Sequence, residues 1–175
     1  MSAYVRAFRE VGASGVIMAE PAAGLLSPAS MASLSSRYVR QIAEAQDDAR
    51  FALVLHNCAA RRLHLPALLE TGLKTFHFGA PMEIGAALQE VPADVVLCGN
   101  LDPTAVFVQL RPAEITARVK ALLAATSDRL NFVLSSGCDV PARTPLASLD
   151  AFHAAAGNLF PPASEAKKEA GFHKN

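Results

Sequence analysis

The chain has 175 residues, of which 51% are hydrophobic and 18% charged, a composition typical of one soluble globular domain with a substantial core. Sixteen basic and sixteen acidic residues give a formal net charge of zero, so the charge balance favours neither nucleic acid nor an anionic membrane surface as a partner. The N-terminal residues have no continuous apolar segment of the signal-peptide type, and no stretch reaches the roughly 18 apolar residues of a membrane span. We therefore expect a cytoplasmic protein whose three cysteines serve thiol or metal chemistry rather than a disulfide framework.

Short apolar runs alternate along the chain with longer segments of helical pattern. Near-continuous apolar strands, each followed by a helix, predict a parallel α/β sheet, which is either doubly wound or a (β/α) barrel. Residues 1–162 form one predicted domain, and the polar residues 163–175, which follow two prolines, form a predicted flexible tail. The predicted strands are residues 15–20, 51–57, 74–79, 93–100 and 130–137, and the predicted helices are Ser30–Ala45, Pro66–Thr71, Met82–Gln89, Pro112–Ala125 and Leu146–Ala156.

Polar residues gather where the predicted strands end. Barrel enzymes take their chemistry from the carboxyl ends of several strands at once, so this pattern favours a barrel over a doubly wound sheet. Neither a GxGxxG sequence after the first strand nor a GxxxxGK[ST] sequence occurs, so dinucleotide and nucleotide phosphate binding have no support. The polar residues in question are Glu20, His56 with Cys58, His77, Asn100 with Asp102, and Cys138 with Asp139.

One pair of these residues has the spacing of metal ligands. His56 and Cys58 point to the same side if the strand geometry continues to Cys58. Cys138 lies eighty residues later in the chain, at the end of the last predicted strand, and a closed barrel would bring it towards the pair. One histidine and two cysteines suit zinc with an open fourth position, as in a catalytic site. The alternative is that both cysteines are small buried hydrophobic residues.

Four stretches resemble the uroporphyrinogen decarboxylase superfamily: AEPAAGLLSP, LHNC, CGNLDP and LSSGCDVPARTPLASLDAF. The resemblance runs from about Gly15 to Phe160 and implies a TIM-type (β/α)8 barrel, of which the C-terminal five βα units are present. Decarboxylases of this superfamily carry Gly-His-Gly where this chain has Gly137–Asp139. The zinc-dependent corrinoid methyltransferases, of the methylcobamide:coenzyme M type, carry a His-x-Cys pair and a distant Cys. The resemblance therefore favours the methyltransferase branch, with His56, Cys58 and Cys138 as zinc ligands.

The function implied by this resemblance is methyl transfer between methylcobalamin, held by a separate corrinoid protein, and a small-molecule thiol. Zinc in the open-sided site would favour the thiolate of a bound thiol at neutral pH. Two alternatives remain open: a decarboxylase-type lyase, and a non-catalytic, truncated corrinoid-binding remnant. A complete barrel needs roughly 200 residues or more, so five units predict either a fragment of a longer chain or an oligomer that covers the exposed sheet.

The remaining polar residues at the strand ends each allow two interpretations. The fourth zinc ligand is water, Glu20 or His77, and His77 could instead be a core histidine with satisfied hydrogen bonds. Asn100 and Asp102, which the resemblance shares with the decarboxylases, either bind substrate or form the turn after the strand.

The other residues of ligand type are not expected to bind the metal directly. Cys98 lies within an apolar run and is predicted to be a core residue. Asp139 either orients a ligand or caps the following turn. His64, His153 and His173 have no neighbours of ligand type and are predicted to lie on the surface.

Overall fold

Five parallel strands form the centre of the computed structural model, which describes residues 1–46 and 50–157. Their order across the sheet is β1-β2-β3-β4-β5, so each strand pairs with the next one along the chain. A doubly wound sheet reverses its strand order at a switch point, whereas a barrel keeps the order sequential. The sheet is therefore part of a TIM-type barrel, as predicted. The strands are β1 (Gly15–Ala19), β2 (Ala52–Asn57), β3 (Thr75–Phe78), β4 (Val96–Leu101) and β5 (Phe132–Ser136).

The helices connect these strands and include every helix predicted from the sequence. The described residues form α1 (Ser2–Glu10), α2 (Pro28–Met31), α3 (Arg37–Gln46), α4 (Leu65–Leu69), α5 (Ile84–Glu90), α6 (Pro112–Ala125) and α7 (Leu146–Gly157). A π-helical turn, Ala32–Ser36, joins α2 to α3, so the predicted helix from Ser30 begins earlier, at Pro28. Among the described residues no helix has both the length and the apolar character needed to cross a membrane.

Helix α1 was not predicted, and its sequence shows why. It has no side-chain hydrogen bond at its N-terminus, and Val5 is its one buried residue. The capping side chain that usually marks the start of a helix is thus absent from this segment.

The helices cover one face of the sheet. Leu53, Leu55, Phe76, Phe78 and Leu97 point to this face, and each is at most 1% exposed. Successive side chains of a strand alternate between the two faces, so the residues between these five point to the opposite face, which lines the inside of a barrel.

The opposite face is open in the part of the chain that the structure describes. Ile17 on β1 is 67% exposed and Val133 on β5 is 49% exposed. Cys98 belongs to this face and is half-buried, so the prediction that it packs in the core was wrong. Because Cys98 lies within an apolar run, the sequence does not show that Cys98 and Leu97 point to opposite faces of the sheet.

The histidines outside the strands follow the prediction only in part. His153 is exposed, as predicted, and His173 lies outside the described residues, as does the predicted tail. His64 is only 3% exposed, so its assignment to the surface was wrong. Its Nδ1 accepts a hydrogen bond from the backbone N–H of Arg61 at 3.0 Å, and its Nε2 donates to the carbonyl oxygen of Leu26 at 3.0 Å.

Candidate metal centre

Three side chains of ligand type meet at the carboxyl end of the sheet. One ligand atom each from His56, Cys58 and Cys138 can be chosen so that all three lie within 4.8 Å of one another. The Sγ atom of Cys138 is 3.5 Å from Nε2 of His56, and all three side chains are half-buried. Within the described residues, no other group of histidine, cysteine, aspartate or glutamate side chains comes together in this way. The structure thus brings the three predicted zinc ligands to one place.

The curvature of the sheet is what joins ligands from distant strands. His56 lies near the end of β2 and Cys58 follows that strand directly, while Cys138 follows β5. In a flat sheet, β2 and β5 would be about 14 Å apart, which is three strand spacings. The 3.5 Å distance between Cys138 and His56 therefore depends on a sheet that curls as a barrel does.

Two glycines allow the loops that carry the cysteines to approach each other. A Cβ atom on Gly79 would lie 2.2 Å from the carbonyl oxygen and 2.9 Å from the Cα of Cys58. A Cβ atom on Gly137, the residue before Cys138, would lie 2.9 Å from the Cα of Gly79. Any larger residue at either position would push these backbones apart. The two glycines thus let the backbone at Cys58 and the backbone before Cys138 both pack closely against Gly79.

The donor set fits zinc. In a tetrahedral site, zinc–sulfur and zinc–nitrogen bonds of about 2.3 and 2.0 Å place the ligand atoms roughly 3.5–3.8 Å apart, and the separation between Cys138 and His56 agrees with this. Burial, and then the neighbouring Cys138, raise the pKa of the Cys58 thiol. Two adjacent thiolates repel each other, so a divalent cation would relieve the repulsion and favour their ionised forms.

Neither residue proposed as a fourth ligand belongs to this group. His77 lies behind His56, with its Nδ1 atom 2.6 Å from Nδ1 of His56 and its Nε2 atom 3.2 Å from Oγ of Ser135. Burial, and then the neighbouring His56, lower the pKa of His77, so the neutral ring is favoured. Glu20 accepts a hydrogen bond of 2.5 Å from the hydroxyl of Ser35. With both candidates hydrogen-bonded elsewhere, water as the fourth ligand stays a prediction.

Asn100 and Asp102 hold the loops around the site. The Nδ2 atom of Asn100 donates to the carbonyl oxygens of Met82 at 2.5 Å and Gly79 at 3.2 Å. Oδ1 of Asp102 accepts from the backbone N–H groups of residues 104 and 105 at 2.8 and 2.7 Å. These contacts fit the turn-forming interpretation of both residues, and contact with substrate stays a prediction.

A cavity opens directly onto the three ligands. It has a volume of about 530 Å³, and its other lining residues include Ile17, Pro21, His77, Ser135 and Asp139. Sequence reasoning did not single out Ser135, although it lies two residues before Gly137 at the same strand end. Serine at a strand end is common, and its contact with His77 becomes visible only in the folded sheet, where Oγ of Ser135 lies 3.2 Å from Nε2 of His77. The cavity gives a small molecule access to the ligand cluster.

Comparison with known proteins places the chain in a family. The sequence model of uroporphyrinogen decarboxylase (URO-D) matches residues 1–159. The chain is similar to the methylcobamide:CoM methyltransferase MtbA of Methanosarcina mazei, with 28% identity over 149 residues, covering 84% of this chain and 42% of that protein. It is equally similar to uroporphyrinogen decarboxylase from Actinobacillus pleuropneumoniae, with 28% identity over 157 residues, covering 86% of this chain and 44% of that protein.

A solved structure supports the same fold. A methyltransferase from Methanosarcina mazei superposes with a TM-score of 0.77 at 23% sequence identity, covering 90% of this chain and 46% of the other. The chain thus spans less than half the length of the relatives it matches, and it corresponds to their C-terminal part. With a family match over nearly its whole length, the chain belongs to the uroporphyrinogen decarboxylase family.

Proposed function

We propose that this chain supplies the zinc-binding part of a methyltransferase that moves a methyl group between methylcobalamin and a small-molecule thiol. The observation that carries the proposal is the cluster of His56, Cys58 and Cys138, whose ligand atoms lie within 4.8 Å of one another. Relatives of both branches are equally similar in sequence, so overall similarity does not choose between them. The ligand cluster favours the methyltransferase.

In this proposal each residue of the site has a separate role in binding the metal or the substrate. His56, Cys58 and Cys138 would hold zinc, which when bound supplies the positive charge that favours a thiolate over a thiol. The cavity beside them would admit the thiol at the carboxyl ends of the strands, which form the mouth of a barrel, and the hydroxyl of Ser135 offers a hydrogen bond inside it. The methylcobalamin would approach from the same side, presented by a corrinoid protein. We place this reaction in the cytoplasm, where thiols stay reduced.

The open face also bears on what the chain works with. β1 and β5 have no further strand beyond them among the described residues, and Ile17 on β1 and Val133 on β5 are exposed on the open face. Exposed apolar sheet surface is a typical docking surface. We propose that the rest of a longer protein, or another chain in an oligomer, covers this face. Light scattering of the purified chain tests the proposal, since a stable monodisperse monomer would contradict association.

Two other functions stand beside this proposal. A decarboxylase-type lyase is favoured by the similarity to uroporphyrinogen decarboxylases, but it gives no role to the paired thiols. A non-catalytic, corrinoid-binding remnant would keep the fold and the ligand cluster without turnover.

A methyl-transfer assay separates these functions. Zinc-loaded protein is mixed with methylcobalamin and a panel of thiols, and loss of methylcobalamin absorbance is followed together with the mass of the methylated thiol. We expect transfer by the wild type and its loss in Cys138→Ser. Zinc binding without transfer would support the remnant, whereas uroporphyrinogen decarboxylation that survives Cys138→Ser would support the lyase.

A further inference from the structure

A second histidine lies directly behind the histidine of the metal cluster. His56 on β2 and His77 on β3 are partners in the sheet register, so both side chains point to the open face. Their Nδ1 atoms are 2.6 Å apart, which is a hydrogen-bond distance. The other nitrogen of His56 faces Cys138, and the other nitrogen of His77 is 3.2 Å from Oγ of Ser135. The three side chains of His56, His77 and Ser135 therefore form a chain of hydrogen bonds that begins at the metal cluster.

Only one proton fits between the two Nδ1 atoms. Which of the two rings carries it determines whether His56 can bind a metal through Nε2. If His56 donates it, Nε2 of His56 keeps a free lone pair towards Cys138, and His77 carries its own proton on Nε2 and donates it to Ser135. If His77 donates it, neutral His56 carries its proton on Nε2, where a metal would have to bind. A neutral imidazole has one donor and one acceptor nitrogen, so the two arrangements exclude each other.

We propose that His77 is a positioning residue, which accepts the Nδ1 proton of His56 and thereby fixes His56 in the tautomer that presents Nε2 to zinc. Ser135 completes the arrangement by accepting the Nε2 proton of His77. The inference rests on the proposed zinc function of His56. Histidine ligands of metals usually donate their second N–H to a carboxylate, a backbone carbonyl or water, and this partner fixes ring orientation and basicity. Here a neutral imidazole takes that place.

The surroundings of His77 support a role in the site rather than in the core. Its neighbours Phe76 and Phe78 are buried on the helix-covered face, with 1% and 0% exposure, whereas His77 is half-buried and lines the cavity. An apolar side chain would suit a purely structural position on this face equally well. Both ring nitrogens of His77 instead have partners within the site, and one of these partners is a predicted ligand.

Two substitutions at His77 separate the hydrogen bond from the size of the side chain. His77→Phe removes the acceptor and keeps a ring of similar volume. His77→Gln is the matched control, because its amide oxygen can accept from His56 while its amide nitrogen donates to Ser135. Zinc affinity is measured by competition with a chelating dye, and the fold of each variant is checked by circular dichroism. We expect zinc binding to weaken roughly 10- to 100-fold in His77→Phe, as for other partners of metal ligands, and to recover most of this loss in His77→Gln.

Nitrogen-15 spectra of the histidine rings in the zinc-loaded wild type give a readout that a merely structural role would not move. We expect His56 to be protonated at Nδ1 and His77 at Nε2. Wild-type zinc affinity in folded His77→Phe, or a proton on Nδ1 of His77 in the zinc-loaded protein, would overturn the inference and leave the zinc site standing. A folded wild type that binds no zinc would overturn the proposed function itself, and the inference with it.

Discussion

An alanine at position 79 would place a methyl group 2.2 Å from the carbonyl oxygen of Cys58, where glycine leaves room for that backbone. Real Cβ contacts essentially never fall below 3.0 Å, so the two backbones must separate by about 0.8 Å, the difference between these two distances. Metal sites require ligand distances within about 0.2 Å of their ideal values. We therefore expect Gly79→Ala to weaken zinc binding about tenfold or more, although no ligand atom is removed.

The assay compares zinc affinity with stability in the same variants. Inserting a methyl group into a close-packed position costs typically about 1–3 kcal/mol, and urea unfolding of the metal-free protein measures this cost. Gly157→Ala is the matched control, because a Cβ atom there would have no neighbour within 4 Å. It should leave both zinc affinity and stability close to wild type. If Gly79→Ala folded and bound zinc as tightly as the wild type, the close approach of the loops would not position Cys58, and the reasoning would be refuted.

Three further predictions concern the core, the loop and the protons of the site. Leu97 is fully buried on the helix-covered face, so Leu97→Ala should lower the free energy of unfolding by about 2–5 kcal/mol. The zinc stoichiometry should not change. A loss of metal in the folded variant would contradict the separation of core and site. Asp102→Ala removes the acceptor of two backbone hydrogen bonds and should destabilise the fold by about 0.5–2 kcal/mol. Asp102→Asn keeps a side-chain oxygen and should destabilise the fold less. Unchanged stability in both variants would favour the substrate-binding interpretation. The raised pKa of Cys58 keeps its thiol protonated at neutral pH. Zinc binding should therefore release the proton of Cys58 and tighten as pH rises, by up to about 10-fold per pH unit for that proton. Affinity that stays constant over the same range would show that Cys58 is not a ligand.

The strands and the ligand cluster could be predicted because each has a local signal in the sequence. Continuous apolar runs marked all five strands. His56, Cys58 and Cys138 stood out because polar residues of ligand type are unusual at the ends of such runs, and the parallel arrangement places those ends at one edge of the sheet. The resemblance of LHNC and SSGCD to a family motif added the connection between residues that are far apart in sequence.

What the sequence did not reveal depends on register and on distant contacts. His64 is buried and hydrogen-bonded to the carbonyl of Leu26, 38 residues away, a contact that no local pattern predicts. The pairing of His77 with His56 needs the exact alignment of β2 with β3, because a shift by one residue would turn His77 to the other face. The need for glycine at position 79 becomes visible only once the loop of Cys58 lies against it.

Zinc content is the most direct test of the account, measured by plasma mass spectrometry on purified wild type, Cys138→Ser and Cys98→Ser. Cys98 is the matched control, since it is a half-buried cysteine on the same open face but does not belong to the ligand cluster. The account predicts about one zinc per chain in the wild type and in Cys98→Ser, and a marked loss in Cys138→Ser. A folded, zinc-supplemented wild type without the metal, or equal zinc in both variants, would contradict it.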